Sequence, residues 1–130
     1  MAHHFPQAAE ILNREIAAAT GHPMTQSLDD AALLHVPGRS GVAGTYQGRE
    51  AILQLLDHMT DLTGGTLRFV PTRTFTTDDE MLVVCGQANA QRQTRQLATN
   101  AAYVVSLREG RVREMWLAHQ DQADFDDFWS

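Results

Sequence analysis

Apolar residues recur along the chain at two spacings, and the spacing changes near residue 66. Residues 7–19 and the stretch that begins at Arg49 carry apolar side chains three and four positions apart, which predicts two amphipathic helices. Gly64 and Gly65 follow the second stretch, and glycine there is a common signal for the end of a helix. The first half of the chain is therefore predicted to contain two helices.

The remaining segments predict strands and loops. Residues 32–37, ALLHVP, predict a short strand that ends at Pro37, and residues 41–48 predict a loop punctuated by glycine. After residue 66, three polar turns separate four apolar stretches, a pattern typical of sequential antiparallel hairpins. The four predicted strands cover residues 67–75, 81–91, 98–107 and 111–120. This order of elements predicts one α+β domain over residues 1–130, with helices on one face of a curled sheet.

The last two predicted strands are apolar on both faces. Side chains alternate between the faces of a sheet, so one face should carry Ala101, Tyr103, Val105, Met115, Leu117 and His119. The other face should carry Ala102, Val104, Ser106, Trp116, Ala118 and Gln120. A sheet with one solvated face alternates more clearly than this, and the helices can cover only one face. We therefore expect a second copy of the chain to cover the other face, in a homodimer.

Charge and composition exclude several classes of function. The net charge is −6 without a basic stripe, so neither nucleic acid nor a membrane surface is expected as a partner. All ten basic residues are arginine, and the lack of lysine excludes Schiff-base chemistry and a P-loop. We expect a cytoplasmic protein, because Cys85 is the only cysteine and no membrane span or secretory signal is visible.

Three segments resemble the nuclear-transport-factor-2-like (NTF2-like) superfamily: LDDAALLHVPG, AGTYQGREAILQLL and REGRVREMWLAHQD. The sequence looks most like SnoaL-like polyketide cyclases and ketosteroid isomerases, over nearly the whole chain from about Leu28 onward. The resemblance implies a cone, in which a curved antiparallel sheet wraps around the N-terminal and central helices. An apolar pocket at the open end and dimers through the convex face are also implied. The superfamily includes both enzymes and non-catalytic binders, so function has to be argued from the site.

The resemblance also implies positions for catalytic groups. Ketosteroid isomerases have an aspartate base at the end of the first strand, and alignment on residues 29–31 puts His35 there. The oxyanion-hole acid of those enzymes, and a histidine of SnoaL-like cyclases, match Tyr103. The catalytic aspartate of the cyclases matches Leu117, which has no acid or base to offer. His119 lies two residues further along, on the same predicted strand face.

His35, Tyr103 and His119 are therefore the predicted catalytic set. A histidine buried in an apolar pocket can act as a neutral base, and a tyrosine can donate a hydrogen bond to a developing oxyanion. Each residue also has a structural alternative: a satisfied core histidine, a tyrosine that fills the core, and a solvated histidine at a strand end. The predicted substrate contacts are Tyr46, Leu117, Met115 and Ala101.

Two classes of function fit this set. One is cofactor-free acid/base chemistry on a hydrophobic carbonyl or polyketide-like substrate, such as isomerisation, cyclisation or dehydration. The other is a non-catalytic dimeric ligand-binding or accessory protein, which the missing acid at Leu117 favours. An epoxide hydrolase is a minor alternative, because Arg113 is predicted on the inner face but no apolar strand offers the required pair of aspartates. No metal is predicted, because the histidines lack the short spacings of zinc motifs.

The C-terminal segment is unusually aromatic. Phe125, Phe128 and Trp129 lie within the last six residues, and side chains of this size are rarely left in solvent together. We expect them to pack against the domain or to lie at the mouth of the pocket.

Overall fold

The computed structural model describes Arg14 and residues 27–77, 80–109 and 111–130. Apart from Arg14, the helix predicted over residues 7–19 lies outside this described part. In chain order the elements are β1 (Leu28–Val36), β2 (Gly44–Gln47), α1 (Arg49–Leu62), β3 (Arg68–Thr76), β4 (Met81–Arg92), β5 (Arg95–Arg108), β6 (Arg111–His119) and α2 (Gln122–Trp129).

The strands form one six-stranded sheet in the order β2-β1-β6-β5-β4-β3. The antiparallel meander β3 to β6 confirms the four strands predicted from the sequence. The sheet is nevertheless mixed rather than wholly antiparallel, because β1 runs parallel to β6. The segment predicted as a loop also contains β2, which pairs antiparallel with β1. Its four residues, from Gly44 to Gln47, show no apolar alternation that could have predicted a strand.

Helix α1 packs its predicted apolar stripe against the sheet. Ile52, Leu55, Leu56 and Met59 are buried, and the helix contacts β1 and β2. It ends as predicted, because Gly64 and Gly65 both adopt positive φ angles, of 59° and 80°. The Gly65 amide donates a hydrogen bond to the Thr60 carbonyl, at 3.0 Å, which satisfies one carbonyl of the last helical turn.

The register of β5 and β6 produces the two faces predicted for them. Tyr103 lies opposite Leu117 and Ala101 lies opposite His119, on the inner face. The inner side chains of β4 and β5 are buried, whereas their neighbours are half-buried or exposed. The outer face includes Trp116, which is 36% exposed.

A bulge changes the face of one residue near the start of β6. Ser106 pairs with Glu114 but the next residue, Leu107, pairs with Val112, so Arg113 is an extra residue in the ladder. Val112 is fully buried and Arg113 is exposed. The prediction that Arg113 points to the inner face is therefore wrong. The epoxide-hydrolase alternative needed this arginine on the inner face and is no longer supported by it.

The aromatic C-terminal segment forms α2, which docks on the inner side of the meander. The Asp121 carboxylate caps the helix by accepting a hydrogen bond from the backbone amide of Asp124 at 3.0 Å. Phe125, Phe128 and Trp129 are buried, at 1%, 2% and 2% exposure. The predicted burial of these three side chains is confirmed.

Both ends of α2 are held by hydrogen bonds to the rest of the domain. At its start, the side-chain amide of Gln122 donates a hydrogen bond to the Pro37 carbonyl at 3.2 Å. At its end, the Arg92 guanidinium donates to the carbonyls of Phe128 and Ser130, each at 3.1 Å. A cation at a helix C-terminus also interacts favourably with the helix dipole.

Candidate functional site

An apolar cavity lies between the inner face of the sheet, the end of α1 and helix α2. Its described lining is almost entirely apolar, with one histidine and one tyrosine: Leu56, Met59, Leu67, Phe69, Ala88, Leu97, Ala101, Tyr103, Leu117, His119, Phe125 and Trp129. The empty space totals about 420 Å³ including its open part, but only about 30 Å³ admits the centre of a water-sized sphere. The cavity therefore has room for about two water molecules.

His119 is the basic group of this cavity. It is the last residue of β6, and its ring stacks on Phe125 with centroids 3.7 Å apart and planes at 24°. Burial lowers the pKa of His119 from 6.5 to about 4, against a smaller raising effect of Asp126. At neutral pH the imidazole is therefore uncharged, with one N–H donor and one acceptor nitrogen. Both nitrogens are buried, and neither has a hydrogen-bond partner among the described residues.

Tyr103 supplies a hydrogen-bond donor to the same cavity. It is 8% exposed, and its ring meets that of Phe69 edge-on with centroids 5.3 Å apart. Burial raises the pKa of Tyr103 to about 12, so the side chain is a neutral phenol that can donate a hydrogen bond. Directly opposite on β6 lies Leu117, which also lines the cavity.

Four of the seven predicted site residues meet at the cavity. Tyr103 and His119 line it as predicted, and so do Ala101 and Leu117. These positions test where the side chains lie, whereas the roles assigned to them stay predictions.

Met115 and Tyr46 are absent from the described lining of the cavity. Met115 shares the inner face but is fully buried deeper in the core, opposite Val105. Tyr46 lies on β2, where its hydroxyl donates a hydrogen bond to the Val42 carbonyl at 2.8 Å. The hydroxyl therefore ties β2 to the loop that precedes it.

His35 does not line the cavity, so the predicted position of its side chain is wrong. Leu34 and Val36, its neighbours on β1, are buried, and alternation therefore places His35 on the outer face. There its ring lies 5.7 Å from that of Trp116. Its Nε2 lies 2.5 Å from a Glu114 carboxylate oxygen, and its Nδ1 lies 3.0 Å from the Thr45 hydroxyl. The gapless alignment on residues 29–31 misplaced His35, because the alternation along β1 buries Leu34 and Val36 instead.

The sequence predicted the two polar residues of the cavity, Tyr103 and His119, but not most of the apolar residues that form its walls. Residues of α1, β3 and β4 line it through Met59, Phe69 and Ala88, and no motif marks them. Phe125 and Trp129 also line it, and the signal that could find them is the aromatic character of the C-terminal segment. The cavity is therefore closed by a helix that the family pattern did not predict.

Comparisons with known proteins place this geometry among solved structures. No protein-family model matches the sequence, and no curated protein matches it. Bal32a, from a soil-derived mobile gene cassette, is 31% identical and has a TM-score of 0.82, over 95% of this chain and 97% of that chain. TerC, co-crystallised with polyporic acid, is 20% identical with a TM-score of 0.70, over 95% and 97% of the two chains.

Further matches carry family descriptions. A protein from Jannaschia sp. CCS1, provisionally described as a SnoaL-like polyketide cyclase, is 11% identical with a TM-score of 0.68, over 100% and 96% of the two chains. Other matched structures are described as NTF2-like or as having a ketosteroid isomerase-like fold. The chain has the fold of these NTF2-like proteins. The NTF2-like fold explains the curved sheet around an inner cavity, and the predicted fold class is confirmed.

Proposed function

We propose that this NTF2-like protein binds a small, uncharged, hydrophobic molecule in the cavity beneath α2. The observation that carries the proposal is His119, a neutral imidazole with two unpartnered nitrogens among apolar side chains. Buried polar groups are normally hydrogen-bonded, so a ligand with a polar atom would complete the site. The Tyr103 phenol offers a second polar contact in the same cavity.

The lining favours an uncharged ligand. None of its described residues is arginine, aspartate or glutamate, and a buried charge without a partner is costly. TerC, which shares the fold, was co-crystallised with polyporic acid, and this supports the idea that the fold accommodates an organic molecule.

Acid/base catalysis is the second candidate, favoured by the presence of His119 and Tyr103 in one cavity. The neutral His119 imidazole would accept a proton from the carbon beside a ligand carbonyl. The Tyr103 hydroxyl would donate a hydrogen bond to the carbonyl oxygen, which becomes negative as the enolate forms. Return of the proton to another carbon would complete an isomerisation. Other acid/base reactions of a hydrophobic carbonyl substrate, such as cyclisation or dehydration, would use the same groups.

A matched pair of alanines tests the binding proposal. Ala101 lines the cavity and Ala102 lies on the outer face. With α-tetralone, a bicyclic ketone, as the calorimetric probe, Ala101→Leu should weaken binding at least about tenfold by filling the cavity. Ala102→Leu should leave the affinity unchanged. Equal affinities in both variants would exclude the cavity as the binding site.

The same probe separates the two candidate functions. α-Tetralone has exchangeable hydrogens beside its carbonyl, and an active-site base would accelerate their replacement by deuterium in heavy water. Catalysis would be supported if the wild type accelerates this exchange and the His119→Gln variant does not. Binding without accelerated exchange would leave the non-catalytic function.

We also propose a homodimer through the outer face of the sheet. The strand registers place one continuous row of side chains across five strands of this face: Phe75, Val83, Val104, Trp116 and His35. Phe75 is 49% exposed and Trp116 is 36% exposed. Five strands span about 19 Å, which is wide enough for the apolar centre of an interface between two copies.

A cytoplasmic location is part of the proposal. The Cys85 thiol is free and half-buried, which suits a reducing compartment. No helix in the described part of the chain is long and apolar enough to cross a bilayer.

A further inference from the structure

Three buried polar atoms belong to the two residues whose rings contact Phe125 of α2. They are the two ring nitrogens of His119 and Nε1 of Trp129, and none has a hydrogen-bond partner in the described part of the chain. Phe125 lies between the two residues, with centroids 3.7 Å from His119 and 6.2 Å from Trp129. Each unsatisfied buried polar group is unfavourable for folding. Three such atoms in one place therefore indicate a site that is incomplete without a ligand.

Trp129 provides the clearest requirement among the three. It is 2% exposed and lines the cavity, and its indole N–H can only donate a hydrogen bond. The missing partner therefore has to be an acceptor. Because the described lining contains no cation to neutralise a carboxylate, a carbonyl or hydroxyl oxygen on an uncharged molecule fits best.

The space available shows what has to move. About 30 Å³ is open to the centre of a water-sized sphere, and this is too little for a bicyclic molecule, since pockets for ligands typically measure several hundred Å³. The Phe125 ring occupies the position above the His119 imidazole that such a ligand would need. Since Phe125 lies on α2, displacement of this helix would open the cavity and uncover the face of the imidazole together.

Helix α2 is held in a way that permits such a displacement. It has eight residues, too few to be stable without tertiary contacts. Its polar attachments join the Gln122 side chain to Pro37 at the start, the Asp126 carboxylate to the Arg39 amide near the middle, and backbone carbonyls to Arg92 and Arg95 at the end. Between these ends, the inward side of the helix is held by the aromatic side chains that fill the cavity.

We propose that Trp129 is a ligand-binding residue and that α2 is the movable wall of the site. The indole N–H of Trp129 donates a hydrogen bond to an oxygen of an uncharged, flat, apolar ligand. The ligand replaces the Phe125 ring on the face of the His119 imidazole, while the acceptor nitrogen, which points out in the plane of the ring, pairs with a ligand hydroxyl or with water. This inference rests on the proposed binding function and adds the acceptor requirement and the motion of α2.

Two probes of nearly equal shape test the hydrogen bond. α-Tetralone carries a ketone oxygen, and tetralin is its hydrocarbon counterpart without an acceptor. Trp129→Phe keeps an aromatic ring but removes the N–H, so it should weaken α-tetralone binding by about five- to tenfold. Tetralin binding should not weaken. Trp116→Phe, which changes the other tryptophan on the outer face, is the control and should alter neither affinity.

Magnetic resonance on Trp116→Phe provides a second measurement that does not depend on the Trp129 variant. The chain has two tryptophans, so this variant gives a single indole N–H signal, that of Trp129. The signal should move downfield when α-tetralone binds and should move much less with tetralin. Signals of α2 amides should shift with both probes, because both have to displace Phe125.

The outcomes separate the two proposals. If neither probe binds the wild type, the proposed binding function fails. If both bind but Trp129→Phe weakens them equally, or the indole signal responds equally to both, Trp129 contributes only packing and the inference is overturned. Binding that leaves the α2 amide signals unchanged would overturn the motion of the helix.

Discussion

The imidazole of His119 stacks on the ring of Phe125, with centroids 3.7 Å apart and planes at 24°. This contact joins the last strand of the sheet to the C-terminal helix, and it covers a histidine whose nitrogens have no partner among the described side chains. It therefore connects the ionisation of His119, the stability of α2 and access to the cavity.

His119 should make the protein less stable in mild acid. Burial lowers the pKa of His119 to about 4 in the folded protein, against 6.5 as the ordinary value. Between these pH values the unfolded chain binds a proton that the folded chain does not, so the free energy of unfolding falls as pH falls. From pH 7 to pH 5, the Tm of the wild type should drop about 3 °C more than that of His119→Gln. Equal drops in calorimetric scans would show that His119 is not buried as described.

Removal of α2 should destabilise the whole domain. Truncation after Asp121 removes three buried aromatic side chains, Phe125, Phe128 and Trp129, each of which contributes about 1.5–3 kcal/mol by burial. It also exposes the apolar wall of the cavity to water. The Tm should fall by at least about 5 °C, and an unchanged Tm would mean that the helix is not docked in solution.

The outer-face histidine should be unimportant for the cavity. His35 pairs with Glu114 in a partly exposed contact, with side-chain exposures of 31% and 33%. Such pairs contribute at most about 1 kcal/mol to stability. His35→Ala should therefore lower the Tm slightly and leave the affinity for α-tetralone unchanged, and Glu114→Gln should behave in the same way. A large loss of affinity in His35→Ala alone would restore it as a site residue.

The proposed homodimer depends on the apolar row around Trp116. A glutamate at this position would place an unpaired charge at the centre of the interface, which strongly disfavours association. Trp116→Glu should be monomeric by light scattering at concentrations where the wild type is dimeric. Thr94→Glu, in the exposed turn between β4 and β5, is the charge-matched control and should stay dimeric. A monomeric wild type at micromolar concentration would contradict the proposal.

The sequence predicted those features that depend on local pattern. The meander and helix α1 follow from alternation, helical periodicity and turn residues, and the inner faces of β5 and β6 follow from the same alternation. Tyr103 and His119 were placed correctly because they lie on these regular strands.

The errors arise where pairing between distant strands decides the geometry. His35 is a different case, because the alternation of the buried Leu34 and Val36 puts it on the outer face and the prediction followed the family alignment instead. Arg113 changed face because of a single bulged residue. The cavity walls come from α1, β3, β4 and α2, and no local pattern indicates that these elements converge.

The ring nitrogens of the histidines provide the most direct test of the site. Nitrogen-15 spectra at pH 7 would follow His119 and His35 together, with His119→Gln and His35→Gln to assign their signals. Addition of α-tetralone should shift the signals of His119, which lines the cavity. The signals of His35, which lies on the outer face, should stay unchanged. Signals of His35 that move while those of His119 stay fixed would contradict the cavity as the ligand site.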